Sequence, residues 1–267
     1  MLPTASAIHL FLLAIFLFLA GAILPLASGR RHRLAHGLGV FLSLTGALAG
    51  ILAALRILVG GETAHFQLFW DNAGMEFALA LDGLAAFFLL PLFLLVFFCG
   101  LYAFRYLEPE PRRFQAARHW FFFNALAASM ALVVAAANSF IFLLAWEIMS
   151  LSSFFLVVHE FDSEQVRKAG WLYLVATHLG TAFLFCLFLA EYRLAGSLAF
   201  ASFEVLRGLP PAGALAFFFL AVIGFGTKAG MFPLHCWLPE AHAAAPSHVS
   251  ALMSGVMIKT ALYGLLR

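Results

Sequence analysis

Residues 7–27, AIHLFLLAIFLFLAGAILPLA, contain no Asp, Glu, Lys or Arg, and long apolar runs between short polar joints repeat to the end of the chain. A stretch of about 18 apolar residues or more is long enough to cross the hydrocarbon of a bilayer as a helix. Eight spans are predicted, at 7–27, 37–60, 83–104, 119–137, 138–158, 169–190, 212–238 and 247–266. Composition agrees, because 64% hydrophobic against 10% charged residues leaves too little polar surface for a water-soluble globule. Strand alternation is absent, which excludes a membrane β-barrel. The first run is not a cleavable signal peptide, since the leading MLPTASAIH carries no Lys or Arg. The sequence therefore predicts an all-α integral membrane protein embedded in a lipid bilayer.

Other classes drop out on composition and spacing. A net charge of +2 gives no nucleic-acid partner. Cys99, Cys186 and Cys236 stand far apart without CxxC spacing, so each is read as a small apolar packing residue. No iron–sulfur cluster, structural metal site, disulfide framework or cofactor is implied.

Orientation follows from the basic residues. Arg30, Arg31 and Arg33 follow the first span; Arg105, Arg112, Arg113 and Arg118 follow the third; Arg167 and Lys168 follow the fifth. The segment 61–82 has no basic residue, and 191–211 has Arg193 and Arg207. By the positive-inside rule the loops 28–36, 105–118 and 159–168 are cytoplasmic and the N-terminus lies outside. Segments 61–82 and 191–211 are expected to be short caps.

Three formal charges fall well inside the spans: Glu147, Lys228 and Lys259. Each costs roughly 2.5–3.5 kcal/mol at a helix centre, so such residues face a bundle interior, pair together and mark ion pathways. Glu147 lies mid-span in NSFIFLLAWEIMSLSSFFLVV, where Ser150 one turn away offers a purely local partner. Lys228 lies in GFGTKAGMFPLHCWLPEAH, within an apolar run longer than the ~20 residues of one crossing. Gly224, Gly226, Gly230 and Pro233 in that run predict a discontinuous helix with Lys228 at or beside the break, near mid-depth. Irregular backbone at that depth persists only where protein or a wet cavity surrounds it, and broken helices recur in ion-coupled transporters.

Lys259 shares one ideal helix face with His248, Leu252 and Gly255, and His248 stands about 16 Å away along the axis. Gly255 leaves room there for water or a close helix neighbour. His178 and His235 are further relay candidates, with a hydrogen-bonded packing role as the alternative for each. His9, His65, His119, His159 and His242 lie near span ends or in loops, where solvated side chains are expected.

The segment GFGTKAGMFPLHCWLPEAHAAAPSHVSALMSGVMIKTALYGLLR resembles the proton-conducting antiporter-like subunits of respiratory complex I, Mrp antiporters and membrane-bound hydrogenases. APSHVSALMSGVMIKT is similar to the hydrogenase-4 and formate hydrogenlyase branch, and the likeness extends to LDGLAAFFLL and WEIMSLSSFFLV. The resemblance implies a glutamate–lysine pair, Glu147 with Lys228, a polar axis continued by Lys259, and His235 in the broken helix. His248 fits the hydrogenase branch, where other branches usually have proline. Three leading helices (1–117) and a first five-helix repeat (118–267) are implied. A second repeat usual in the family is missing after Arg267, as in a fragment or split gene. Implied partners are other membrane subunits and the peripheral redox arm of a hydrogenase or complex I-like assembly in a prokaryotic inner membrane.

Two unit charges 4 Å apart at an effective dielectric near 20 attract by roughly 4 kcal/mol, and moving them to about 8 Å halves this. Drawing Glu147 away from Lys228 would then drive a proton from Lys228 toward Lys259. Three rivals remain open. A non-transporting scaffold leaves the three interior charges unexplained. A retinal protein with Lys228 as Schiff base and Glu147 as counter-ion fits poorly with a second lysine and a broken seventh helix. A redox catalyst would need paired histidines or clustered cysteines, which are absent from the sequence. An Mrp-type cation/proton antiporter subunit is the nearest alternative within the family. Single cysteines at Arg112 and Thr63 are expected to label from opposite membrane faces; labelling from one face would contradict the eight-span arrangement.

Overall fold

The computed structural model describes residues 4–28, 32–70, 75–107 and 115–267. Arg30, Arg31, Arg112 and Arg113 lie outside the described residues. Seven helices come first: α1 (Thr4–Ala27), α2 (His32–Gly60), α3 (Gly83–Tyr106), α4 (Gln115–Ala135), α5 (Ser139–Val157), α6 (Glu164–Ala195) and α7 (Pro211–Ala229). A short α8 (Trp237–Ala244) follows. The last span is built from α9 (Ser247–Leu252), a π-helical turn (Met253–Met257) and α10 (Ile258–Leu266). Eight helical segments among the described residues are long and apolar enough to cross a membrane. The chain is thus an all-α integral membrane protein whose seventh span is discontinuous. Two ends differ from expectation: α6 runs past 169–190 on both sides, and α7 stops at Ala229, short of residue 238.

In lipid there is no hydrophobic drive between helices, so close approach and internal polar contacts must hold the bundle. The innermost helix is α4, whose Trp120, Phe123, Leu126, Met130 and Val134 are all fully buried. Around it pack α1, α2, α3, α5 and α10. Asn124 within α4 ties it to α1 by donating from Nδ2 to the Gly21 carbonyl at 3.2 Å. Side chains turned outward, such as Phe16, Phe41, Phe87, Phe98 and Trp171, are exposed and apolar, as a lipid-facing surface requires.

Both caps carry structure that the sequence reading missed. Residues 61–82 hold an antiparallel hairpin, β1 (Ala64–Trp70) with β2 (Met75–Leu81), registered Ala64↔Leu81 through Trp70↔Met75. The short alternation of AHFQLFW and MEFALAL was hidden between two apolar helices. The segment 191–211 contains a 3-10 helix, Phe200–Gly208. Both caps dock on the junction of α4 and α5. Ala137 N–H donates to Ala78 O at 3.0 Å, and Ser139 N–H donates to Leu198 O at 2.9 Å. Asn138 joins them: its Oδ1 accepts from Ile141 N–H at 2.8 Å, capping α5, and its Nδ2 donates to Glu76 O at 2.8 Å.

The close approach that matters most for Lys228 lies between α6 and α7. A Cβ placed on Gly180 would stand 3.1 Å from the Gly224 carbonyl, and one on Gly224 would stand 2.5 Å from Leu184 Cδ2. Gly180→Val is therefore expected to force the two helices apart at a cost of about 1–3 kcal/mol. Thermal unfolding in detergent would show the lowered midpoint; an unchanged midpoint would mean that α6 and α7 do not need this contact.

Candidate functional site

The site begins with the end of α7. Gly230 adopts φ 71°, the left-handed conformation that glycine takes without strain. Met231 N–H donates to Gly226 O at 2.9 Å and Gly230 N–H to Thr227 O at 3.4 Å. This pairing satisfies the last carbonyls of the helix in the Schellman manner. The indole Nε1 of the buried Trp237 donates to Thr227 O at 2.8 Å. Termination therefore belongs to Gly230, not to Pro233, which sits in the following turn. Lys228 falls in the last turn, at the negative end of the helix dipole.

Lys228 is 2% exposed. Its Nζ donates to Ser150 Oγ at 3.0 Å and to Tyr173 OH at 2.9 Å. Ser150 sits about 16 Å along α5 from Ser139, at 1.5 Å per residue, so the amino group lies beside the middle of that helix. Tyr173 OH in turn bonds Ser153 Oγ, and Ser153 Oγ donates to Met149 O at 2.7 Å. Because Ser153 gives its hydrogen to Met149 O, Tyr173 donates to Ser153. The rings of Tyr173 and Trp146 have centroids 5.2 Å and 5.9 Å from Nζ, distances at which aromatic faces attract a cation.

Glu147 is on the same helix but not in contact with the lysine: among the described residues no ion pair joins Glu147 and Lys228. Glu147 Oε2 lies 3.3 Å from His178 Nε2, with the two side chains 31% and 45% exposed. His178 Nδ1 lies 2.9 Å from Leu174 O, an acceptor, so Nδ1 carries a hydrogen. Glu147 and His178 thus stand as a close carboxylate–imidazole contact at the rim of the bundle. Ser150, the local partner considered for Glu147, instead donates to Trp146 O at 3.0 Å.

The remaining candidates are dispersed. His235 lies in the turn after α7, with its ring 5.7 Å from Phe232 and its buried Nδ1 without a hydrogen-bond partner among the described residues. Lys259 is exposed and donates to the Ser254 carbonyl. His248, expected on the same face as Lys259, is 2% exposed. The π-helical turn between them explains the separation, since it adds about one residue to a turn and breaks the 3.6-residue register. Gly255 serves as a close helix contact: a Cβ there would stand 2.5 Å from Leu95 Cδ1 of α3.

His248 has company that the sequence did not reveal. Its Nε2 lies 2.9 Å from Nε2 of His119, and the His119 ring is 5.2 Å from that of His159. All three histidines are buried, against the expectation that His119 and His159 are solvated. Helix α4 is central to the bundle, and the α5–α6 turn folds over its end. Burial, and then the Arg118 charge, push the His159 imidazole down to about 4. Glu191 was also missed, because α6 continues past the predicted boundary. It is fully buried and accepts from Ser202 Oγ. Among the described residues no group of three His, Cys, Asp or Glu side chains is placed to hold a metal ion.

A many-span helical bundle that buries a lysine at a helix break defines the class of polytopic membrane protein with a discontinuous helix. The chain belongs to the NADH:quinone oxidoreductase/Mrp antiporter transmembrane family, which residues 136–267 match. It is 42% identical over 264 residues to hydrogenase-4 component B of Escherichia coli, covering 98% of this chain and 38% of that protein. It is 32% identical over 216 residues to NAD(P)H-quinone oxidoreductase chain 4 2 of Thermosynechococcus vestitus, covering 77% of this chain and 38% of that one. Its fold is similar to a chain of the membrane-bound sulfane sulfur reductase, an archaeal respiratory membrane complex, with TM-score 0.81 and 26% identity over 95% of this chain and 40% of that chain. The Mrp complex from a Dietzia species contains a chain similar to it with TM-score 0.80 and 27% identity, over 97% of this chain and 28% of that chain. The chain spans less than half the length of each of these relatives.

Removing the two acceptors of Lys228 tests how firmly it is held. Tyr173→Phe and Ser150→Ala each leave the buried amino group one partner short, a loss of about 1–3 kcal/mol. Chemical unfolding of the purified protein would measure it. The double variant is expected to lose more than the sum of the singles, since together they strip both partners from one group.

Proposed function

We propose that this chain is an ion-translocating, most simply proton-translocating, membrane subunit of a redox-driven complex of the membrane-bound [NiFe] hydrogenase or complex I type. The observation that carries this reading is Lys228, buried at the end of a broken helix on a hydroxyl network, with a carboxylate–histidine contact on the neighbouring helix face. The relatedness to hydrogenase-4 component B supports the hydrogenase branch. A similarity of 30% over 82% of this chain to a probable K(+)/H(+) antiporter protein of Rhizobium meliloti favours, as the second reading, a component of an Mrp-type antiporter.

In this proposal Glu147 has two alternative partners. While it lies against His178, Lys228 is held by the hydroxyls of Ser150 and Tyr173. When Glu147 turns toward Lys228, the attraction of roughly 4 kcal/mol at contact stabilises the charged lysine, and turning back releases its proton. Lys259, His235 and His248 take part in onward transfer. Residues 1–117 act as leading helices and 118–267 as the five-helix repeat, with the N-terminus outside a prokaryotic inner membrane. His178 and Lys259 are exposed on the bundle surface and Glu147 is half-buried beside His178. A charge facing lipid costs roughly 2.5–3.5 kcal/mol, which favours other membrane subunits, and through them a peripheral redox arm, covering these faces.

Translocation by the complete complex in reconstituted vesicles tests the pair. Glu147→Ala and Lys228→Ala are each expected to abolish it nearly completely, and the double variant to be far less than additive, because the two act as one unit. Lys228→Arg is expected not to restore it, since a guanidinium keeps its proton. An Arg variant pumping at the wild-type rate would reduce Lys228 to a fixed positive charge. Antiport of sodium or potassium without redox turnover would favour the second reading.

A further inference from the structure

The three buried histidines stand apart from the Lys228 network. They come from three separate elements: His119 from the first turns of α4, His159 from the turn after α5, and His248 from α9. All three lie at the end of the bundle that carries the basic loops. His36, nearby, makes an instructive contrast. Its Nδ1 accepts from Trp120 Nε1 at 3.0 Å and its Nε2 lies 2.9 Å from Phe104 O, so both nitrogens are engaged and its tautomer is fixed by packing. In His119 and His248 only the Nε2 atoms are engaged, with each other, while both Nδ1 atoms are buried without a hydrogen-bond partner among the described residues.

A shared metal does not explain the cluster. Two nitrogens on one tetrahedral zinc stand about 3.3 Å apart, from Zn–N distances of about 2.0–2.1 Å. The two Nε2 atoms are 2.9 Å apart, a hydrogen-bond distance that needs one proton between them. One ring is therefore the Nε2–H tautomer and the other carries its hydrogen on Nδ1. His248 also lines a cavity of about 280 Å³ with Phe98, Cys99, Tyr102, Ser247 and Ala251, so this end of the cluster borders open space.

We propose that His159, His119 and His248 form a three-imidazole proton wire that enters the bundle at its basic end, built from side chains outside the Lys228 hydroxyl network and in series with it. The proposal rests on the ion-translocation reading above. The transfer between His119 and His248 balances. A proton arriving at the free Nδ1 of the donor ring makes it an imidazolium; its Nε2 proton passes to Nε2 of the acceptor ring; that ring then releases its own Nδ1 proton. No charge remains, but both rings have exchanged tautomers and the Nε2–Nε2 bond now points the other way. A second proton cannot follow in the same direction until both rings turn over. The pair is a one-proton gate as well as a conductor. The low basicity of His159 suits it to passing a proton inward without storing it. Among the described residues, the charged and titratable groups around the cluster are Arg118, His36, Cys99, Tyr102 and Tyr106, and no carboxylate is among those that act on His119.

The complete complex in liposomes, with proton flux driven by a valinomycin-imposed potential and read by an internal pH dye, tests the wire. His119→Ala, His159→Ala and His248→Ala are each expected to cut the flux at least tenfold, within the range of a lost proton-transfer group. Added imidazole is expected to restore flux, since it replaces a missing proton carrier and not a missing packing contact. An assembled variant with wild-type flux, or with a loss that imidazole leaves untouched, would overturn the wire. Lys228→Ala in parallel separates the two proposals. If it abolishes flux while His119→Ala does not, only the wire falls; if it leaves flux unchanged, the translocation reading itself fails. Where a histidine variant does not assemble, nitrogen–nitrogen coupling across the hydrogen bond in ¹⁵N-histidine-labelled wild-type protein decides. Its presence supports the paired Nε2 atoms, and its absence overturns them.

Discussion

A helix that ends beside the middle of another membrane helix leaves carbonyl groups where water does not reach, and the site depends on how α7 meets that constraint. Gly230 bends the chain back so that two backbone N–H groups cover the last turn, and Trp237 supplies a third donor from the next segment. With its carbonyls engaged, α7 can stop where it does. Stopping there puts Lys228 against the middle of α5, within reach of Ser150 and Tyr173. The close contact of Gly180 and Gly224 brings α6 near enough for Tyr173 to complete the network.

Two kinds of polar grouping share this bundle, and they differ in solvation. The Lys228 network is buried, its two serines donating to backbone carbonyls and Tyr173 to Ser153, so it holds the amino group in one geometry. Glu147 and His178 are partly exposed and joined by a single contact, so their geometry is open to whatever lies beside that face. Fixed groups inside and adjustable groups at the rim let an external movement act on an otherwise rigid interior.

The fold was largely legible because helix in hydrocarbon is written in long apolar runs, and all eight were found. Glycines and a proline near Lys228 announced the broken helix, although the glycine and not the proline ends it. Other features lay beyond simple periodicity. The hairpin was masked by flanking apolar sequence. A π-helical turn separated His248 from Lys259, which an ideal helix had put on one face. Tyr173 looked like any aromatic in an apolar span, and only its hydroxyl, reached from another helix, shows its part. His119 and His159 sat near predicted span ends, where solvation is the ordinary expectation; their burial comes from helices far away in sequence. Local pattern gives elements and breaks, whereas pairings such as Glu147 with His178 depend on how the elements rotate against one another.

Asn138 has a mechanical consequence. With one amide it starts α5 and grips the hairpin, while the backbone on either side of it joins the hairpin and the segment leading into the 3-10 helix. Arg267 adds a brace at 2.7 Å to Asp82, the residue that begins α3. This end of the bundle is clamped across four connections, so its helices behave as beams fixed at one support. Bending grows with distance from that support, so a push on a helix moves side chains midway along it by a fraction of its own displacement.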